Sequence, residues 1–114
     1  MVLTEYMERL DGADPGAALE VMEPDIEFVM VVPAGTIRGF GHDDYSDYIA
    51  RRNAGDRVHD VRAQAVDGNY EFVSGVVREA GLVLGTFLST AVVSPAGKMS
   101  RYLVVFDTET DLEA

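Results

Sequence analysis

The second half of the chain allows very few arrangements. From Arg57 to Asp107 it reads as four stretches rich in β-branched and aromatic residues, "RVHDVRAQAV", "NYEFVSGVVRE", "LVLGTFLSTAVVS" and "KMSRYLVVFD". Only "DG", "AG" and "PAG" separate them, and connections of two or three residues join antiparallel neighbours. The segment is therefore expected to be a four-stranded antiparallel meander. Alternate residues of a strand point to opposite faces, which makes the faces legible. In the second stretch Tyr70, Phe72, Ser74 and Val76 oppose Glu71, Val73, Gly75 and Val77, and the even set is the larger. In the last, Tyr102, Val104 and Phe106 lie together while Met99, Arg101, Leu103 and Val105 take the other side. A sheet that is apolar on both faces needs cover for both.

The first half supplies one cover. Leu3, Tyr6, Met7 and Leu10 fall on one face of a helix, which "DGADPG" breaks. Asp14 followed by Pro15 is a start signal for a second, short helix carrying Ala18, Leu19 and Met22, ended by "EPD". Asp25 to Val32 reads as a strand with Ile26, Phe28, Met30 and Val32 on one face, closed by Pro33, Ala34 and Gly35. "GTIRGFG" reads as a turn. A third helix follows, with Asp43, Asp44 and Asp47 near its start, Arg51 and Arg52 at its end, and "NAG" as its terminator. Arg38 is expected to pair with Asp43 or Asp44, the alternative being that it closes over the pocket mouth and holds an anionic ligand. "TETDLEA" at the end reads as a solvated tail. The order is helix, helix, strand, helix, then four strands: a single α+β domain over residues 1–114, with three helices packed on a curved, mainly antiparallel sheet. With all three helices on one face, a second copy is the expected cover for the other. A homodimer burying Leu103, Val105 and Leu84 or Leu88 follows.

Composition removes several classes of function. There is no cysteine, hence no disulfide, thiolate metal site or cysteine nucleophile. Twenty acidic against nine basic residues give a net charge of −11, which disfavours nucleic acid and anionic lipid as partners. No apolar run reaches the roughly 20 residues of a membrane span. The acidic opening "MVLTEYMERLDGADPG" lacks the basic region of a secretory signal, so a cytoplasmic location is the expectation. "GHDD" (Gly41 to Asp44) places one histidine beside two consecutive aspartates, a helix start rather than a metal site. No metal or cofactor is assigned.

The element order, with "MEPDIEFVM", "GTIRGFGHDDYSDYI" and "SPAGKMSRYLVVFD" at their places, resembles the nuclear transport factor 2-like superfamily, and within it the SnoaL-like and ketosteroid isomerase-like branch. The resemblance spans Thr4 to Asp107 and implies a cone-shaped roll whose open end holds a small, mostly apolar ligand. Isomerases of this kind place a tyrosine on the first helix, a carboxylate base on the first strand and a second acid on a late strand. Laid over that pattern, Tyr6 falls on the tyrosine, but Met30 on the base and Ser89 on the second acid. A proton shuttle beside a carbonyl needs a titratable group, which methionine is not. The superfamily's epoxide hydrolases use an Asp, Arg, Asp arrangement on late strands. Here that place holds Val104, with Arg101 and Asp107 on the opposite parity.

The dehydratase branch uses histidines, and this chain has two, His42 and His59. His59 shares a strand face with Val61, Ala63 and Ala65, so its imidazole either looks inward as the remaining general base or belongs to a histidine at the sheet margin hydrogen-bonded to backbone or water. Tyr6, Tyr102, Ser74 and Ser89 are the expected polar handles, beside apolar Phe28, Met30, Phe72, Phe87 and Val104. Two functions stay open. One is a pocket for a mid-sized hydrophobic, oxygen-bearing small molecule with isomerase, cyclase or hydrolase chemistry on His59 or Tyr6. The other is a non-catalytic ligand-binding or dimeric assembly module whose cone is filled by Met30, Phe28, Phe72, Phe87 and Tyr102.

Overall fold

A computed structural model describes residues 1–52 and 55–112. Helix α1 (Val2–Leu10) is followed by a 3₁₀ helix (Pro15–Val21), strands β1 (Met22–Val32) and β2 (Gly35–Phe40), and helix α2 (Gly41–Arg51). Strands β3 (Val58–Asp67), β4 (Tyr70–Glu79), β5 (Leu82–Val93) and β6 (Met99–Asp107) complete the chain. The fold is α+β, with three helical segments and one six-stranded sheet in the order β2-β1-β6-β5-β4-β3. Only the β1–β6 pair is parallel, and the expected meander is β3 to β6. None of the described helices is long and apolar enough to cross a membrane.

Three readings are corrected. "GTIRGF" is a strand, not a turn: it pairs antiparallel with β1 from Glu27↔Phe40 to Val32↔Gly35. Glycine conceals it, because Gly39 lies under the ring of Phe28, where a Cβ would overlap the aromatic carbons. The second helix is a single 3₁₀ segment, and β1 begins at Met22, with the "EPD" region absorbed as an irregularity between Met22 and Glu27. Arg38 makes no ion pair with Asp43 or Asp44 among the described residues. Asp44 instead accepts the Phe40 N–H at 2.8 Å, capping α2. Of the expected helix terminator "NAG", Asn53 and Ala54 lie outside the described residues, as do Glu113 and Ala114 of the tail. The rest of the tail is exposed but tied down, since Thr86 Oγ1 donates to the Thr110 carbonyl at 2.7 Å.

Leu3, Tyr6, Met7 and Leu10 bury the inner face of α1 against Phe28, Met30, Val73, Phe87 and Tyr102. The start of α1 is anchored from the sheet. Buried Glu71 of β4 accepts the Leu3 N–H at 2.8 Å and the Val2 N–H at 3.3 Å. A carboxylate there satisfies two orphan donors and sits at the positive end of the helix dipole. The sheet's other face carries Tyr70, Phe72, Leu88, Leu103 and Val105, all exposed by more than a third.

Candidate functional site

Inner-face residues are set by register. Phe28↔Tyr102 and Met30↔Val104 face the helices from the β1–β6 pair, and Ser89↔Val104 and Phe87↔Phe106 continue the same face into β5. Between this face and α1 lies a cavity of about 120 Å³. Tyr6 and Leu10 of α1, Met30 and Val32 of β1, and Phe87, Tyr102, Val104 and Phe106 of the later strands form its apolar body. Its polar wall is His59, Arg57, Arg52 and Tyr48. Val32, Tyr48, Arg52, Arg57 and Phe106 also border a wider cleft of about 710 Å³, bounded by the β1–β2 turn and by Arg38 and Arg51. The cavity is well below the roughly 300–1,000 Å³ of a drug-sized site, but far above the roughly 10–15 Å³ that one water needs.

His59 is held by Asp11, the residue that ends α1. Asp11 accepts the His59 backbone N–H at 2.6 Å, and both its carboxylate oxygens lie 2.9 Å from Nδ1. Nδ1 therefore carries a hydrogen, which in the neutral ring leaves the lone pair on Nε2. The ring packs edge-on to Phe87 at 5.0 Å, and the side chains of His59 and Asp11 are only 12% and 11% exposed. Arg52 stands 3.9 Å from the same carboxylate. The result is a bare imidazole nitrogen fixed by an anion at the edge of an apolar cavity, an arrangement suited to accepting a proton.

The opposite wall is a tyrosine cluster. Tyr6 and Tyr45 share a hydrogen bond between their hydroxyls, and the Tyr6 ring lies 5.1 Å from Tyr102. Burial, reinforced by the neighbouring phenols, pushes Tyr6 and Tyr102 well above the ordinary tyrosine value. Tyr45 is likewise raised, chiefly by burial. Tyr48 is raised by burial too, with the Arg52 guanidinium pulling the other way. These phenols stay protonated, so they offer hydrogen-bond donors, not bases.

Tyr6, His59, Met30, Phe87, Tyr102 and Val104 thus meet at one cavity. Ser89 is buried on the same face, but its hydroxyl donates to the Val73 carbonyl at 3.2 Å and is a backbone-bonded strand serine. Phe28 packs on Tyr45 at 4.5 Å and borders the wider cleft. Phe72 and Ser74 are misplaced by the size rule. Pairing of Val73 with Ser89 and Gly75 with Phe87 turns the odd residues of β4 inward, and Phe72 lies on the outer face, stacked near Tyr70 at 6.3 Å. The smaller set is inside because Gly75 packs beneath the β3 backbone and beside Phe87, where no side chain fits. A bulge between Val61 and Ala63 likewise takes Ala63 and Ala65 off the face of His59.

Asp11, Tyr48, Arg52 and Arg57 are site residues that the pattern of apolar positions does not reveal. Asp11 sits in a helix-breaking loop sequence, and Arg52 reads as a dipole partner. Their signal is charge: three arginines between positions 51 and 57 of an acidic chain. His42 is explained locally, its Nε2 lying 3.0 Å from the Met22 carbonyl. No three of the described His, Asp or Glu residues converge on a metal site.

By sequence, neither protein-family models nor curated proteins give a match. Solved structures do. An Agrobacterium tumefaciens protein of the SnoaL-like family superimposes with TM-score 0.77 at 13% identity, over 93% of this chain and 94% of the other. A candidate ketosteroid isomerase from Kribbella flavida gives 0.77 at 18%, over 99% and 80%. An NTF2-like protein of unknown function from Cytophaga hutchinsonii gives 0.69 at 16%, over 93% and 87%. At such identities the likeness is one of fold.

Proposed function

Starting from the nuclear transport factor 2-like fold, which this chain adopts, we propose that it is an acid–base catalyst acting on a small, oxygen-bearing, mostly apolar molecule held in the cavity between the sheet and α1. One observation carries the reading: the Asp11–His59 pair at the cavity wall. The pair also joins α1 to β3, but that alone does not require the ring to stand at the wall of an open cavity.

In this reading His59 Nε2 takes a proton from carbon next to a substrate carbonyl, and Asp11 stabilises the imidazolium that forms. The neutral phenol of Tyr6, backed by Tyr45, donates a hydrogen bond to the developing enolate oxygen. Returning the proton to a different carbon makes the reaction an isomerisation. Attack of the enolate carbon on a second carbonyl of the same molecule, whose C=O π bond opens to an oxygen that takes the proton from His59, makes it a cyclisation. The base sits on β3 instead of at Met30, so the apolar β1 wall is free to bind. A cavity of about 120 Å³ favours a substrate well below steroid size.

Exchange of α-protons tests this directly. In D₂O, NMR of cyclohexanone and related small ketones should show deuteration accelerated by the protein, and loss of most of that acceleration in His59→Gln. Equal exchange by both proteins would contradict the assignment of the base.

We propose with it that a second copy covers the outer sheet face. Leu88, Leu103 and Val105 are 57%, 41% and 41% exposed there, an apolar surface that monomers seldom leave bare. Leu84, the alternative to Leu88, instead packs against the core and is left out of this interface. Sedimentation at micromolar concentration should give the dimer mass, and Leu103→Asp the monomer mass.

A further inference from the structure

In a chain with 20 acidic and only 9 basic residues, unpaired arginines are unexpected. Arg9 pairs with Glu5 and Glu20, Arg62 and Arg78 with Asp60, and Arg101 with Glu27. Arg52 is held loosely, 3.9 Å from Asp11. Among the described residues, only Arg38, Arg51 and Arg57 have no carboxylate within 4.0 Å, and all three line, with Asp44 and Asp47, the cleft that shares Tyr48, Arg52 and Arg57 with the cavity. Arg57 goes further, because its Nε is buried and has no hydrogen-bond partner among the described residues. Burying a guanidinium donor unsatisfied is costly, so the site is built for an acceptor that arrives from outside.

We propose that the cleft takes a small monocarboxylic acid, its carboxylate on Arg57 and Arg52 and its apolar body in the cavity against Met30, Phe87 and Val104. Arginine's planar fork matches a carboxylate in a bidentate pair. Charge selects among anions. Arg38, Arg51, Arg52 and Arg57, set against Asp44 and Asp47 of the cleft and Asp11 beside Arg52, leave one positive charge, which a monoanion neutralises and a phosphate dianion overshoots. This assignment rests on the cavity proposed as the catalytic site but not on its chemistry, and it makes carboxylate the mark by which a substrate is chosen. Tyr48, beside both guanidiniums, supplies a hydroxyl at the same junction.

Binding alone tests it, without turnover. Benzoate, benzamide and phenyl phosphate share one ring and differ in charge, and their affinities are measured by calorimetry or NMR titration. Benzoate should bind wild-type protein about tenfold or more tighter than benzamide, with the margin shrinking as salt is raised. Arg57→Gln should erase the margin, while Arg101→Gln, altering a paired surface arginine, should keep it. Because the readout is binding and not turnover, failure of the proton-exchange test leaves this result standing. Equal binding of benzoate and benzamide to wild type overturns the proposal, and needs no variant to fold. A benzoate preference intact in a folded Arg57→Gln protein overturns it as well. Tighter binding of phenyl phosphate than of benzoate would overturn the carboxylate assignment in favour of a phosphoryl group.

Discussion

Replacing Asp11 with alanine should cost far more than an exposed loop aspartate would. Its carboxylate accepts two hydrogen bonds from His59, one from the backbone N–H at 2.6 Å and one from the ring. These join the end of α1 to the start of β3, 48 residues away in sequence. Alanine leaves both donors unpaired in surroundings only about a tenth exposed. An unmet buried donor costs about 1–3 kcal/mol. Partial access to water puts each loss in the lower half of that range, about 2–4 kcal/mol together. That is a large share of the roughly 5–15 kcal/mol that holds a domain of this size. Asparagine keeps one acceptor and should lose about half as much. Urea denaturation at neutral pH measures it, as a lowered midpoint with an unchanged slope. A cycle with His59→Ala should return a coupling of about 1 kcal/mol or more. Asp11→Ala within about 0.5 kcal/mol of wild type would refute the claim that this carboxylate orients the histidine.

Gly75→Ala should destabilise by about 2–4 kcal/mol in the same assay, since a Cβ there would overlap the Asp60 carbonyl oxygen of the neighbouring strand. Glu71→Ala should cost about 1–2 kcal/mol, and its amide exchange should show earlier opening at Val2 and Leu3, whose N–H groups lose their cap. Tyr6, Tyr45 and Tyr102 ionise in the unfolded chain near 10 but resist ionisation when folded. A raised folded-state value means stability is full below about pH 10 and is lost as pH rises beyond it, because the unfolded chain gives up protons that the folded one keeps. Tyrosinate absorbance from these three should therefore appear only as near-ultraviolet circular dichroism collapses.

The architecture was legible because turn pairs and strand parity are local signals. "DG", "AG" and "PAG" mark the ends of strands that do pair in a meander. Legibility failed where glycine let strands approach. Gly39 and Gly75 hide β2 and the inner face of β4 from any rule based on side-chain size. The inward aim of His59 was readable from alternation at the start of β3, before the bulge at Val61 resets it. Its partner was not, because Asp11 reaches it only through the packing of α1 on the sheet. Arg52 and Arg57 were likewise hidden. They flank the end of α2 and the start of β3, and only the fold brings both to the mouth of one cavity.

Nitrogen-15 NMR of the His59 ring tests the central claim most directly, since the proposed chemistry needs a lone pair on Nε2 held there by Asp11. In the neutral form of the ring, long-range proton–nitrogen correlations should find the hydrogen on Nδ1 and a bare Nε2. Asp11→Asn should weaken that preference. A ring carrying its hydrogen on Nε2, or an equal mixture of both forms in wild type, would contradict the account.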